Sequence, residues 1–162
     1  DVRKLLNDEN PYVRARAVFL LANLGPKGRA EAEQALQAAD ANLRIAALRA
    51  LKPTAPDVVA LVRPLAADPS PAVRREVAIA LRDVPFSACQ DVLTQLIAGY
   101  DGADRYYLTA LGIAADGKQD ALFAALKPSL PTDPTKWDRK TANLIWELHP
   151  AGATELLKMR AM

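Results

Sequence analysis

Asp68-Pro69-Ser70-Pro71-Ala72-Val73-Arg74-Arg75-Glu76-Val77-Ala78-Ile79-Ala80-Leu81 decides how the rest of this 162-residue chain is read. It predicts the end of one helix at Asp68, a tight turn, and a second helix. Pro71 suits the first turn of that second helix, where its missing N–H costs nothing. Val73, Val77, Ala78 and Leu81 then fall on one face at helical spacing.

Variants of this phrase run along the whole chain. Aligned on the arginine after the first apolar residue, they are Val13-Arg14, Leu43-Arg44, Val73-Arg74, Asp104-Arg105 and Asp138-Arg139, with successive arginines 30, 30, 31 and 34 residues apart. Three positions after each arginine stands a small or apolar residue: Ala17, Ala47, Val77, Leu108 and Ala142. Asp8 and Asp68 precede Arg14 and Arg74 by six residues, whereas Asp40 and Asp101 precede Arg44 and Arg105 by four, which implies a shorter turn. Self-similarity at this period predicts stacked helix pairs, each contacting only its neighbours. The repetition predicts a structural ladder of Asp8, Arg14, Arg44, Asp68, Arg74, Arg105 and Arg139, each guanidinium reaching the Asp and turn carbonyls of its own or a neighbouring repeat. A basic stripe for phosphates is the competing reading of the same arginines.

The pattern Asp-x-x-Pro-x-Val-Arg-x-x-Ala-x-x-x-Leu resembles the HEAT repeat, and Asp68 to Leu81 follows it nearly position by position. Asn10-Pro11-Tyr12-Val13-Arg14-Ala15-Arg16-Ala17 is a second match, and the resemblance weakens after Asp101, where repeats four and five lack the turn proline and carry Asp104 and Asp138 instead. It implies an all-α fold: a right-handed α-solenoid of about five HEAT-like helix pairs with the second helices on the concave side. Residues 1–162 are then one HEAT-repeat domain, read as a fragment of a longer chain. A narrower likeness runs from Pro69 to Pro85 and from Tyr100 to Ala114. This part is similar to a HEAT-like segment of large bacterial multidomain proteins described as membrane-bound dehydrogenases or haem-binding proteins. Their haem motif, Cys-x-x-Cys-His, is not in this sequence, so no cofactor role carries over.

Composition agrees with a folded helical chain. It is 51% hydrophobic and 25% charged, which is globular rather than disordered. Twenty-one basic and 19 acidic residues give a net charge of only +2, which does not announce a nucleic-acid or membrane partner. No apolar run approaches the roughly 20 residues of a membrane span.

Periodicity and turn residues predict helices over Pro11–Leu24, Gly28–Ala39, Asn42–Lys52 (capped by Asn42), Asp57–Ala67 (kinked at Pro64) and Pro71–Val84. Further helices are predicted over Ser87–Gly99, Asp104–Ala115, Lys118–Leu126, Trp137–Leu148 and from Pro150 to Met159. No strand pattern is present.

Catalytic chemistry has little to build on. One histidine, His149, and one cysteine, Cys89, cannot make a His/Cys metal cluster. His149 precedes Pro150 at a helix end, where it is expected to bond free carbonyls. Trp137, Asp138, Arg139 and Trp146 are the groups a HEAT-like DNA glycosylase would place in a groove, and that enzyme, or another nucleic-acid-binding module, is the alternative reading. The reading carried forward has no catalytic, metal or cofactor-binding residue. It is a non-catalytic protein-interaction or spacer scaffold within a larger multidomain protein. Its partner is a protein or peptide, or a neighbouring domain of the parent chain. The residues just after each arginine differ between repeats, as binding positions should. Arg75, Tyr106, Tyr107 and Lys140 form the expected partner surface, since tyrosines beside cations offer area, a hydroxyl and a cation–π face.

Overall fold

A computed structural model describes residues 1–161. Every regular element among them is helical, and the helices are short because prolines and capping acids interrupt them. In chain order the α-helices are α1 (Pro11–Ala22), α2 (Gly25–Gln34), α3 (Ala41–Leu51), α4 (Val58–Val62), α5 (Pro71–Ala80), α6 (Phe86–Ala98), α7 (Arg105–Ala115), α8 (Gln119–Leu126), α9 (Arg139–Leu148) and α10 (Thr154–Ala161). A 3₁₀ helix, Val2–Asn7, precedes α1. The odd-numbered helices are the second members of the pairs.

Several boundaries depart from the sequence reading for identifiable reasons. Asp40, not Asn42, caps α3: its carboxylate accepts from the Asn42 N–H at 2.9 Å. Pro64 does not kink a long helix. It ends α4 after five residues and turns the chain into the 3₁₀ segment Arg63–Leu65, because proline has no N–H to continue the ladder. The helix predicted to Leu24 stops at Ala22, and Gly25-Pro26 opens α2, with Pro26 in the first turn. Gly28, read as the start of that helix, lies inside it. A Cβ there would come within 2.5 Å of the Leu21 carbonyl oxygen, so α1 and α2 meet at a point that only glycine allows.

The chain forms two compact units, Asp1–Glu76 and Val77 onward, with the division falling inside α5. In the first unit α1 packs on both α2 and α3. The contact is built from small side chains: Val18, Leu21, Ala32, Ala35, Ala47, Ala50 and Leu51 form one buried cluster, sealed at its margin by Leu6, Leu36 and Leu43. In the second unit α6 packs on α7 and α8, α7 on α9, and α9 on α10. Phe123, Trp137, Ile145 and Ala153 make a buried cluster there. Each element thus lies against its near neighbours in sequence, second helix on second helix, which is the packing of an all-α solenoid.

Candidate functional site

Position within the helix decides what each recurring arginine does. Arg14, Arg44 and Arg74 are the fourth residues of α1, α3 and α5. From there each folds back over the turn, and its Nη1 donates to the two carbonyls six and five residues earlier. For Arg14 these are Asp8 and Glu9, at 2.9 and 3.1 Å. For Arg44 they are Ala38 and Ala39, at 2.7 and 3.0 Å. For Arg74 they are Asp68 and Pro69, at 2.6 and 3.3 Å.

The other edge of the guanidinium reaches the acid of the following repeat. Arg44 grips Asp68 with two parallel bonds of 2.7 Å, and both side chains are nearly buried. Burial alone would raise the Asp68 carboxyl. The bonds from Arg44 and the Ser70 N–H outweigh it and hold the group below its ordinary value, while Asp68 raises Arg44 in turn. Arg14 reaches Asp40 through a single contact of 3.2 Å in a more open setting. Asp40 is a rung that sequence reasoning left out of the ladder. Its signal was present, since a carboxylate at the helix cap has a free oxygen facing the preceding repeat. Asp8 takes part through its backbone carbonyl, while its side chain accepts from the Asn10 N–H.

Arg105 and Arg139, expected in the same ladder, do not belong to it. Each is the first residue of its helix, after the caps Asp104 and Asp138, whose carboxylates accept from the Tyr107 and Thr141 N–H groups. The offset of three residues turns the side chain by about 300° and moves it about 4.5 Å along the axis. Both arginines are exposed, and Arg105 lies with its guanidinium carbon 6.0 Å from the Tyr106 ring centre. The true counterparts of Arg14, Arg44 and Arg74 are therefore Leu108 and Ala142.

The same offset corrects the expected partner surface. Tyr107 is the third residue of α7 and so matches Val73 of α5, an inward position. It is 2% exposed, and its hydroxyl donates to the Leu96 carbonyl at 2.7 Å. Its ring stacks on Tyr100 at 6.0 Å between centres. Tyr107 is thus a core residue and offers no surface. Tyr106, the second residue of α7, is 71% exposed. Lys140, the second residue of α9, is half-buried beside the turn before α7: a Cβ on Gly102 would stand 3.0 Å from the Lys140 Cβ. Arg75 lies in the first unit, half-buried on α5. The groups offered for a DNA groove are divided too. Trp137 is buried, with Nε1 donating to the Pro131 carbonyl at 2.9 Å, and Asp138 is spent as a cap; Trp146 and Arg139 are exposed.

A buried cation missed by the sequence reading stands in the second unit. Lys118, 7% exposed, sends Nζ to the carbonyls of Arg82 at 2.6 Å, Ala114 at 2.8 Å and Asp116 at 3.3 Å. Cys89 is buried with its thiol against the Pro85 carbonyl, and burial pushes it up, away from the thiolate that nucleophilic chemistry needs. His149 closes α9 in the left-handed conformation at φ 49°, with Nδ1 2.9 Å from the Glu147 carbonyl oxygen. Among the described residues no group of three or more His, Cys, Asp and Glu is placed to hold a metal ion, and no helix is long and apolar enough to cross a membrane.

A hollow of about 680 Å³ lies between α9 and α10, walled by Ala142, Trp146, Leu157, Arg139, Lys158 and Arg160 among others.

The family model for HEAT repeats matches residues 1–54 and, in a second overlapping alignment, residues 31–115. No match was found among the curated proteins or the solved structures.

Proposed function

Because this chain belongs to the HEAT-repeat family, whose members mediate protein interaction as scaffolds, we propose that it is a non-catalytic interaction or spacer module within a larger multidomain protein. The observation that carries this reading is where the buried charge goes. Among the described residues Arg44, Asp68 and Lys118 are the buried charged side chains, and their bonds run to backbone groups of nearby turns and helix ends or to one another. Charge taken from water at such cost is spent on holding repeats in register. The likeness of Pro69 to Pro85 and of Tyr100 to Ala114 to a segment of large multidomain proteins supports the wider setting.

The contact surface we propose lies in the second unit, at the second residues of α7 and α9, Tyr106 and Lys140. These side chains differ from repeat to repeat, while the inward positions keep their apolar character. An exposed tyrosine beside Arg105, with a lysine at the same level of the next helix, suits a protein surface carrying acidic and apolar groups.

The test is a titration of this protein with the domains adjacent to it in the parent chain, comparing wild type with Tyr106→Ala and Lys140→Glu. Each substitution is expected to weaken binding about tenfold, which is about 1.4 kcal/mol. Wild-type affinity in both variants, with unchanged helical circular dichroism, would remove this pair from the interface.

A further inference from the structure

One stripe of exposed side chains runs the length of α7. Tyr106, Thr109, Ile113 and Asp116 recur at intervals of three and four residues, so they share a face about 15 Å long. Its start is aromatic and cationic, with Arg105 against Tyr106 and Lys140 at the same level of α9. Its far end has the opposite character. There a hollow of about 440 Å³ opens within the second unit. Arg82, past the end of α5, forms one wall, and Glu147 and His149, at the end of α9, form the other. Gly112 and Ile113 of α7 lie between them.

A missing side chain shapes this hollow. The eighth residue of the second helix is Val18 in α1, Leu48 in α3, Ala78 in α5 and Trp146 in α9, but Gly112 in α7. The space is taken by Glu147, the half-buried ninth residue of α9. A Cβ on Gly112 would stand 2.8 Å from Glu147 Oε1 and 3.3 Å from its carboxyl carbon, so the carboxylate rests against the α7 backbone. It accepts no hydrogen bond and joins no ion pair among the described residues. Asp116 presents a second carboxylate one turn beyond Gly112, about 6 Å along the axis. Arg82 stands 3.9 Å from it and 4.0 Å from Asp83, both beyond hydrogen-bond reach, so the Asp116 acceptor sites stay open. Among the described residues the lining thus carries two carboxylates against one guanidinium, on a chain whose net charge is +2. The Thr109 hydroxyl and the Gln119 amide add acceptors, and Ile113, 39% exposed, adds apolar surface. A planar guanidinium suits this set better than an ammonium: its fork of donors meets carboxylates edge-on while its face rests on apolar surface.

We propose that an extended peptide of a partner protein lies along α7 and places an arginine side chain in this hollow, between Asp116 and Glu147. An acidic residue about five positions away then falls beside Tyr106 and Lys140, since extended chain advances about 3.3 Å per residue. The proposal rests on the interaction-module reading and gives it a second contact and a partner chemistry.

The first probe is N-acetylarginine amide, titrated to millimolar concentration and followed by amide NMR of the protein. Saturable shifts should centre on Gly112, Ile113, Asp116 and Glu147. Glu147→Gln and Asp116→Asn, isosteric changes at carboxylates that hold no bond of the fold, should each weaken binding by about tenfold. N-acetylcitrulline amide, the uncharged counterpart, should bind about tenfold more weakly or worse. Gly112→Ala should weaken binding while raising the urea midpoint, because the new methyl group displaces the Glu147 carboxylate and alanine favours helix. Blocked hexapeptides with glutamate and arginine at their two ends, in one order or the other, should bind more tightly than the amide, and Lys140→Glu should remove that gain. Absence of saturable shifts, equal binding of the citrulline probe, or wild-type affinity in both folded variants overturns the proposal. So does agmatine binding as tightly as the better hexapeptide, which would make the occupant a free guanidinium compound. Neighbouring domains that bind the Glu147→Gln protein normally would remove this site and keep the module reading. Arginine binding that needs Glu147 while no neighbouring domain binds at all would do the reverse.

Discussion

The two units solve the same problem with different chemistry. Adjacent repeats must be tied at the turns, where helix ends leave backbone carbonyls without partners. In the first unit a guanidinium does this, bonding two carbonyls with one edge and the next repeat's acid with the other, most completely at Arg44 and Asp68. In the second unit an ammonium and a phenol do it. Lys118 collects three carbonyls, one of them 36 residues away, and Tyr107 reaches back to Leu96. The guanidinium tie needs a carboxylate partner and so brings two charges inside. The lysine tie brings one, neutralised only by carbonyl dipoles. A fork suits a carboxylate across a gap, while a tetrahedral ammonium suits several carbonyls converging on a point.

That contrast is open to attack by substitution. The largest effect should come from Arg44→Ala, which strands the buried Asp68 carboxylate and should cost about 3–5 kcal/mol in a urea melt. Arg14→Ala serves as its control: the Arg14–Asp40 pair is more open, so the loss should be clearly smaller. Equal losses would mean that the carbonyl bonds, not the acid, carry the tie. Lys118→Met keeps the stem and removes the three donated bonds, and should cost about 1.5–3 kcal/mol. A neutral result would show the second unit to be held by packing alone. Arg74→Ala, which releases the Asp68 and Pro69 carbonyls, should cost about 1–3 kcal/mol.

Acid gives a fourth probe. The Asp68 carboxyl is held down in the folded chain, so its contribution is complete above the ordinary carboxylate range and fades as pH falls through the folded value. Urea midpoints taken from pH 7 down to about pH 3 should therefore fall with pH, and Asp68→Asn should flatten the slope. An unaltered slope would assign acid sensitivity to other carboxylates. The smallest effects are expected from Arg105→Ala and Arg139→Ala, each under about 0.5 kcal/mol, because neither side chain is engaged with the turns. A loss as large as that of Arg74→Ala would restore them to the ladder.

What the sequence made legible was the helix pair and its period. Val13, Leu43 and Val73 precede Arg14, Arg44 and Arg74 at constant spacing, and helix, turn and inward face all follow from that phrase. The later repeats were misread because the alignment followed a letter, arginine, instead of a helix cap. Asp104 and Asp138 stand directly before Arg105 and Arg139, and an acid in that place is a start signal. Read from the caps, Tyr107 falls inward beside Val73 in the pattern and Trp146 falls at the Val18 position. Lys118 was hidden for another reason. A lysine beside Gly117 looks like any solvated turn residue, and only the fold brings the Arg82 carbonyl to it. The hollow beside Trp146 was equally out of reach, since a gap between helices has no residue pattern of its own.

The length of the ties has a kinetic consequence. Arg14 to Asp40 and Arg44 to Asp68 close loops of 26 and 24 residues, and Lys118 to Arg82 one of 36. Loop-closure entropy grows only as the logarithm of length, so the longest of these costs about 0.4 kcal/mol more than the shortest. A chain stitched at such short range has low contact order, and folding can begin at more than one stitch. Amide exchange should accordingly proceed in blocks about one repeat long, each opening without the rest and bounded by the residues that make the stitch.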